Sequence, residues 1–64
     1  MYNLTAREKE VVAHIRAGTT STAAIAAALD IKHNTAKAHI QNIMRKLGVT
    51  RRRHIVARLD EHHA

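Results

Sequence analysis

The stretch HNTAKAHIQNIMRKLGV, residues 33–49, decides the fold of this chain. Its apolar side chains recur at the i, i+4, i+7, i+11 spacing that places them on one stripe of an α-helix. The stripe comprises Ala36, Ile40, Ile43 and Leu47. Gly48 follows immediately, and glycine adopts the left-handed conformation of a helix C-cap without penalty. The pattern therefore predicts a helix over residues 33–47 with one buried and one exposed face.

A shorter helix is predicted just before this one, over about residues 22–29. A hydroxyl-rich turn at residues 19–22 precedes it and supplies several candidate N-caps. Residues 30–32 leave room only for a tight connection between the two helices. A short helix joined in this way to a long one is typical of a helix-turn-helix unit, which is predicted here over residues 22–47.

Two outer helices complete the predicted fold. Thr5 and Glu8 have the spacing of a capping box, so a first helix is predicted to start after Thr5 and to end at about residue 17, where Gly18 stops it. Thr50 is predicted to cap a fourth helix over about residues 51–61. We therefore expect an all-α fold of four helices, forming a single domain over residues 1–64.

Composition argues against several classes of protein. The 64 residues include no cysteine, so neither a disulfide nor a thiolate metal site is available. No apolar run approaches membrane-spanning length and no signal-peptide pattern follows Met1, so the expected compartment is the cytoplasm and no membrane partner is expected. The six histidines lack the spacing of metal ligands, and no glycine-rich phosphate loop is present. We expect no catalysis, no metal and no cofactor.

Positive charge is concentrated in the second half of the chain. Residues 32–58 carry eight basic side chains and no carboxylate, and the whole chain has a net charge of +6. The eight are Lys32, Lys37, Arg45, Lys46, Arg51, Arg52, Arg53 and Arg58. A one-sided basic segment on so small a chain predicts a polyanionic partner, and DNA is the commonest one.

The polar face of the third helix carries groups that suit DNA bases. Asn34, Ala38, Gln41 and Arg45 lie opposite the apolar stripe, with Lys37 on one flank. Amides pair with adenine, lysine and arginine with guanine, and a small apolar side chain with the methyl group of thymine. A solvated helix surface would explain the same residues on an isolated helix. The preceding short helix and the absence of carboxylates over residues 32–58 favour DNA binding.

Three consecutive arginines stand at the predicted start of the fourth helix: Arg51, Arg52 and Arg53. Cations at a helix N-terminus oppose the helix dipole. They are either a solvated helix start or contacts to DNA phosphates, and the sequence leaves both interpretations open.

Three ordered motifs run along the chain: LTAREKEVV at residues 4–12, IAAALDI at residues 25–31 and TAKAHIQNIMRKLGV at residues 35–49. Together they resemble the LuxR-type (GerE-like) helix-turn-helix domain of bacterial transcription regulators. Its corresponding first and last motifs are L-T-x-R-E-x-E-V-L and T-V-K-x-H-x-x-N-I-x-x-K-L-G-V. The resemblance covers nearly the whole chain, and so many ordered positions make it specific.

This resemblance implies a sequence-specific transcription regulator that binds double-stranded DNA and lays its third helix in the major groove. The base-reading positions that it implies are Lys37, Ala38 and Gln41, to which the exposed face adds Asn34 and Arg45. The phosphate contacts that it implies are Ser21, Thr22, Thr35 and Lys46. Their positive charge makes Arg51, Arg52 and Arg53 further candidates for phosphate contacts. His39 and Asn42 match signature positions that are partly structural in the family.

The resemblance also implies a homodimer on two half-sites, because family members usually dimerise through the fourth helix. The candidate interface residues are Ile55, Val56, Arg58 and Leu59. The expected setting is the cytoplasm of a bacterium, in association with the nucleoid, with a bacterial or phage gene as the source.

Departures from the family pattern bear on DNA contacts and on regulation. Ala23 and Ala24 replace the usual lysine and glutamate, which weakens the phosphate contact before the second helix. Lys32 replaces the usual serine cap of the third helix, so that cap either passes to Asn34 or is absent. Family members usually carry a receiver or ligand-binding domain in front, and these 64 residues contain neither. Activity is then set by concentration, dimerisation or a partner, or else the regulatory part lies outside this sequence.

Two other functions fit the same residues. One is a small protein-interaction module, such as an antirepressor that pairs its fourth helix with another regulatory protein. The other is a non-specific nucleoid-type or RNA-binding protein. Salt-dependent binding to random DNA separates the first from a DNA-binding regulator, and competition between specific and random sequences separates the second.

Overall fold

The computed structural model describes residues 3–61 of the chain, and four α-helices lie within this range. They are α1 (Ala6–Arg16), α2 (Thr22–Leu29), α3 (His33–Leu47) and α4 (His54–Glu61). No strand occurs within residues 3–61. The predicted all-α fold class is confirmed, and α2 and α3 have the predicted bounds.

Helix α3 is the centre of the fold because it packs against each of the other three helices. Helix α1 also packs against α4. All four residues of the α3 stripe are buried, with exposures of 0–2 %. The remaining core residues are Val11, Val12, Ile15, Ile25, Ala26 and Ile55. The apolar periodicity of the sequence therefore identified the buried face of α3.

The start of α1 is the predicted capping box. The Glu8 backbone N–H donates to Thr5 Oγ1 over 3.1 Å, and the Thr5 backbone N–H donates to Glu8 Oε1 over 2.9 Å. Each residue satisfies one of the amides that the first turn of a helix leaves without a partner. Leu4, just before the cap, is half-buried and packs against the core.

Helices α1, α2 and α3 end in the same way, with a left-handed residue followed by an N–H that bonds back across the last turn. The left-handed residues are Gly18, Asp30 and Gly48, with φ of 100°, 55° and 71°. The following amides donate to carbonyls five residues back: Thr19 to His14 over 2.9 Å, Ile31 to Ala26 over 3.0 Å and Val49 to Met44 over 3.0 Å. These are Schellman motifs, so both glycines stop helices as predicted.

The predicted start of α4 is wrong by one turn. The helix begins at His54 rather than at about residue 51, so Thr50 does not adjoin its first residue. Residues 51–53 form a turn in which the His54 N–H donates to the Arg51 carbonyl and the Ile55 N–H to the Arg52 carbonyl, both over 3.0 Å. Three consecutive cations in the first turn of a helix would oppose its dipole, which favours this later start.

Candidate nucleic-acid interface

The five candidate base-reading residues share one exposed surface of α3, here called the reading face: Asn34, Lys37, Ala38, Gln41 and Arg45. All five are exposed, and none forms a side-chain hydrogen bond or an ion pair with another residue of the range 3–61. At a rise of about 1.5 Å per residue, the face extends roughly 16 Å along the helix. Its polar groups are therefore available to an external partner.

The flanks of the reading face differ in exposure. Thr35 is exposed, whereas His39 and Asn42 are half-buried. This burial agrees with the partly structural role that the resemblance implied for those two positions.

Helix α3 begins without a side-chain cap. Its N-cap residue is Lys32, which has extended backbone angles (φ −71°, ψ 151°) and accepts no hydrogen bond through its side chain. Asn34 therefore does not cap α3, and no side chain does, which is the second of the two alternatives that the sequence left open. Because lysine has only donor hydrogens, it cannot accept from the amides of a first turn.

The start of α2 does have a cap, and it is Ser21. Its Oγ accepts a hydrogen bond of 3.0 Å from the Ala24 backbone N–H, and its carbonyl accepts from the Ile25 N–H over 3.0 Å. Ser21 is exposed and Thr22 is half-buried. The two candidate phosphate contacts of this turn thus stand at a well-formed helix N-terminus.

Lys46, a candidate phosphate contact, is bound within the protein. Its Nζ lies 2.6 Å from Glu8 Oε1 and 3.0 Å from the Asn3 carbonyl oxygen. The Glu8 residue is 3 % exposed and the Lys46 side chain 36 %, so this ion pair joins a buried carboxylate at the start of α1 to a partly exposed ammonium group at the end of α3. The ammonium group therefore has a structural partner, and its contact with phosphate stays a prediction.

The buried position of Glu8 affects its acidity. Burial by itself would raise the pKa of this carboxyl. The hydrogen bonds from Lys46 and from the Thr5 backbone, together with the positive charge of Lys46, act in the opposite direction and prevail. The pKa of Glu8 is therefore lowered from its ordinary value of 4.5, and the side chain is a carboxylate at neutral pH.

The three consecutive arginines have different surroundings. Arg51 and Arg53 are exposed, whereas Arg52 is half-buried. The Arg52 Nη1 donates to the Thr20 carbonyl oxygen over 2.6 Å, which ties the turn before α4 to the loop before α2. Two of the three candidate phosphate contacts therefore face solvent, and the third has a partner inside the protein.

Comparison with known proteins identifies the family. The model of the bacterial regulatory proteins of the luxR family matches residues 2–59. The chain belongs to the luxR family. Over 55 residues it is 44% identical to the monoamine regulon transcriptional regulator of Klebsiella aerogenes, an alignment that covers 86% of this chain and 24% of that protein. No solved structure gives a significant match.

Membership of the luxR family confirms the resemblance drawn from the three motifs. The family comprises DNA-binding regulators rather than enzymes. This luxR-family chain spans about a quarter of the length of the relative from Klebsiella aerogenes.

The candidate dimer residues of this luxR-family domain differ in how far they are buried. Ile55 is 0 % exposed and belongs to the core of its own chain, and its part in a dimer contact stays a prediction. Val56 and Leu59 are half-buried at the edge of that core. Arg58 Nη1 donates to the Leu47 carbonyl over 3.2 Å, and its Nε lies 3.5 Å from Glu61 Oε2. Part of the α4 surface is therefore occupied by intramolecular contacts.

Within residues 3–61, no three histidine or carboxylate side chains lie close enough to hold a metal ion. None of the described helices is both long and apolar enough to cross a membrane. His62 and His63, which the metal argument included, lie outside the described residues.

The Glu8–Lys46 pair was missed in the sequence, although a signal for it exists. Glu8 precedes Val11, Val12 and Ile15 by three, four and seven positions, so it lies on the buried stripe of α1. A carboxylate on such a stripe requires a partner, because an unpaired buried charge is costly. The identity of that partner has no local signal, since Lys46 lies 38 residues further along the chain.

Proposed function

We propose that this luxR-family protein is a sequence-specific transcription regulator that binds double-stranded DNA with α3 in the major groove. The observation that carries the proposal is the reading face. It is exposed, contains no carboxylate, and has no intramolecular side-chain partner within residues 3–61. Proteins with a helix-turn-helix unit place the polar face of the second helix against base edges.

Each group on the reading face has a suitable counterpart in the major groove. The amides of Asn34 and Gln41 match the donor and acceptor pair of adenine, and Lys37 and Arg45 match the two acceptors of guanine. Ala38 lies between them and contributes only a methyl group, which permits close approach of the backbone and contact with the thymine methyl.

Residues around the reading face would hold the domain on the sugar-phosphate backbone. Ser21 and Thr22 stand at the N-terminus of α2, where the helix dipole favours an anion. Further proposed phosphate contacts are Thr35, Arg51 and Arg53, which are exposed, and Lys46, which already has a protein partner. Such contacts set orientation and salt dependence, whereas the reading face supplies sequence preference.

The proposed active form is a homodimer on two half-sites, with the contact through α4. The half-buried side chains of Val56 and Leu59 supply apolar surface, and Arg58 lies beside them. The printed name of the relative from Klebsiella aerogenes, a transcriptional regulator, agrees with control of transcription. The nucleoid is the corresponding location.

The substitution that tests the reading face is Gln41→Ala, made after a preferred site has been selected from a random DNA pool. We expect a loss of about 1–3 kcal/mol on the selected site, with relaxed preference at one base pair. Binding to random DNA should be unchanged, because the variant keeps every charge. Equal losses on selected and random DNA would contradict the proposed role of α3.

A matched pair of lysines controls for charge in the same experiment. Lys37 on the reading face and Lys9 on α1 are both exposed helix residues. Lys37→Gln should weaken the selected site more than Lys9→Gln, although both remove one positive charge. Similar effects of the two variants would indicate a general electrostatic attraction and favour a non-specific nucleoid-type protein.

A further inference from the structure

One contact joins the two segments that the proposed function places beside DNA phosphates. Arg52, in the turn before α4, reaches Thr20, in the loop before α2, over 2.6 Å. The two residues are 32 positions apart, so only the tertiary fold brings them together. This contact differs from a surface ion pair because its acceptor is a backbone carbonyl.

The Arg52 end of the contact is well fixed. The Arg52 carbonyl accepts a hydrogen bond of 3.0 Å from the Ile55 N–H. The Ile55 side chain is 0 % exposed in the core, so the backbone of this turn is anchored to the interior. Arg52 is half-buried, unlike its neighbours Arg51 and Arg53.

The Thr20 end lies where α2 begins. The Thr20 carbonyl belongs to the peptide unit that leads into Ser21, the N-cap of α2. A bond to this oxygen restrains the plane of that peptide and with it the extended backbone of Ser21 (φ −76°, ψ 139°). Ser21 in turn accepts the hydrogen bonds of the Ala24 and Ile25 amides.

We propose that Arg52 is a positioning residue, which holds the N-terminus of α2 in the geometry that DNA binding requires, rather than a direct phosphate contact. This inference rests on the proposed function, because Ser21 and Thr22 act on phosphate only in that setting. Through Arg52, the anchored turn before α4 restrains the residues that lead into the first turn of α2. The exposed side chains of Arg51 and Arg53 remain available to contact DNA phosphates.

The test compares Arg52→Gln with Arg53→Gln, its exposed neighbour. Both variants remove one positive charge from the same turn, but only the first removes the bond to Thr20. In the protein without DNA, amide exchange is measured by NMR at Ala24 and Ile25, with Ile43 in the core of α3 as the internal control. We expect faster exchange at Ala24 and Ile25 in Arg52→Gln only, and unchanged exchange at Ile43 in both variants.

DNA binding is then measured over a range of salt concentrations. Arg52→Gln should weaken the selected site roughly tenfold, since a hydrogen bond to a charged group contributes on that order. Its slope of log affinity against log salt should match that of the unmodified protein, because no phosphate contact is lost. Arg53→Gln should lower that slope by about one if Arg53 contacts phosphate.

Two results would overturn the inference. One is exchange at Ala24 and Ile25 that is unchanged in Arg52→Gln, because the contact then does not restrain α2. The other is a salt slope that falls by about one in this variant, which would assign Arg52 to a phosphate. The exchange measurement needs no DNA, so it decides the contact independently of the proposed function. Loss of site preference in the unmodified protein would instead contradict that function.

Discussion

The carboxylate of Glu8 has one hydrogen-bond partner in its own helix start and another on a different helix. Its Oε1 accepts from the Thr5 N–H within the capping box and from Lys46 Nζ across the fold. The first contact is local and recognisable in sequence, whereas the second follows from the packing of α1 on α3. A buried carboxylate destabilises the fold unless a positive charge and hydrogen-bond donors offset its loss of hydration. The Thr5 amide and the Lys46 ammonium group together provide this compensation for Glu8.

The lowered pKa of Glu8 predicts an acid-sensitive fold. A carboxyl with a lower pKa in the folded state contributes stability above its ordinary value of 4.5, and this contribution is lost as pH falls through the folded pKa. Glu8→Gln should therefore lower the free energy of unfolding at pH 7 by about 1–3 kcal/mol. It should also flatten the loss of stability below pH 4.5. Urea denaturation at a series of pH values from about 3 to about 7 measures both effects.

The matched control for this prediction is Glu10→Gln. Glu10 lies on the same helix and pairs with Arg7 over 2.8 Å, but its side chain is 54 % exposed. Exposed pairs contribute little to stability, so this variant should behave as the unmodified protein at both ends of the pH range. An acid transition equally steep in Glu8→Gln would show that Glu8 is not the group responsible.

At the level of elements, the ends of the helices are more uniform than their starts. Helices α1, α2 and α3 all end in Schellman motifs, whereas at the starts Thr5 and Ser21 cap α1 and α2 and no side chain caps α3. Asp30 is the exception among the ends, because it is the one non-glycine residue with positive φ within residues 3–61. A side chain strains this conformation, and a carboxylate at a helix C-terminus also opposes the dipole.

Replacement of Asp30 should therefore stabilise the domain. Asp30→Gly removes the side chain from a left-handed position and should raise the free energy of unfolding by about 0.5–1 kcal/mol. Ala28→Gly, at an exposed position within α2, is the control and should lower it by about 1 kcal/mol. Urea denaturation of the two variants measures both changes. A lower stability for Asp30→Gly would mean that the aspartate makes a stabilising contact which its geometry does not reveal.

At the scale of the whole molecule, intramolecular contacts divide the basic side chains into two groups. Lys46, Arg52 and Arg58 bind partners within the protein. The other five basic side chains of residues 32–58 are exposed and form no ion pair or side-chain hydrogen bond within residues 3–61: Lys32, Lys37, Arg45, Arg51 and Arg53. The contacts of the first group link α1 to α3, the loop before α2 to the turn before α4, and the end of α3 to α4. We propose that the second group supplies the positive field that attracts DNA.

The proposed homodimer predicts a difference between DNA with one half-site and DNA with two. Val56→Glu places a charge at the half-buried edge of α4, so it should abolish the preference for two half-sites. Binding to a single half-site should be retained, because the reading face is untouched. Ala13→Glu, at an exposed position on α1, adds the same charge and should keep the preference.

Gel shifts on DNA with one half-site and on DNA with two, together with sedimentation of the free proteins, measure these effects. An unmodified protein that binds one and two half-sites with equal affinity per site would contradict dimerisation through α4. Binding to another regulatory protein, with no binding to DNA at low salt, would favour the interaction module instead.

Much of the fold and of the reading face could be predicted because the signals for them are local. The stripe on α3, the capping box of α1 and the two glycine stops each act within a few residues, where spacing along the chain corresponds to spacing in the helix. The opposite face of a helix follows directly from its buried face. The exposure of the candidate residues therefore followed as soon as the stripe was known.

The sequence by itself thus determined the four helices, the buried stripe and the family. Only the tertiary structure decided which basic side chains are engaged within the protein, because Lys46 and Arg52 find partners 38 and 32 residues away. It also placed the start of α4 at His54 and the side chain of Ile55 in the core. These outcomes depend on how separate helices pack, since a long flexible cation binds whichever acceptor the fold brings within reach.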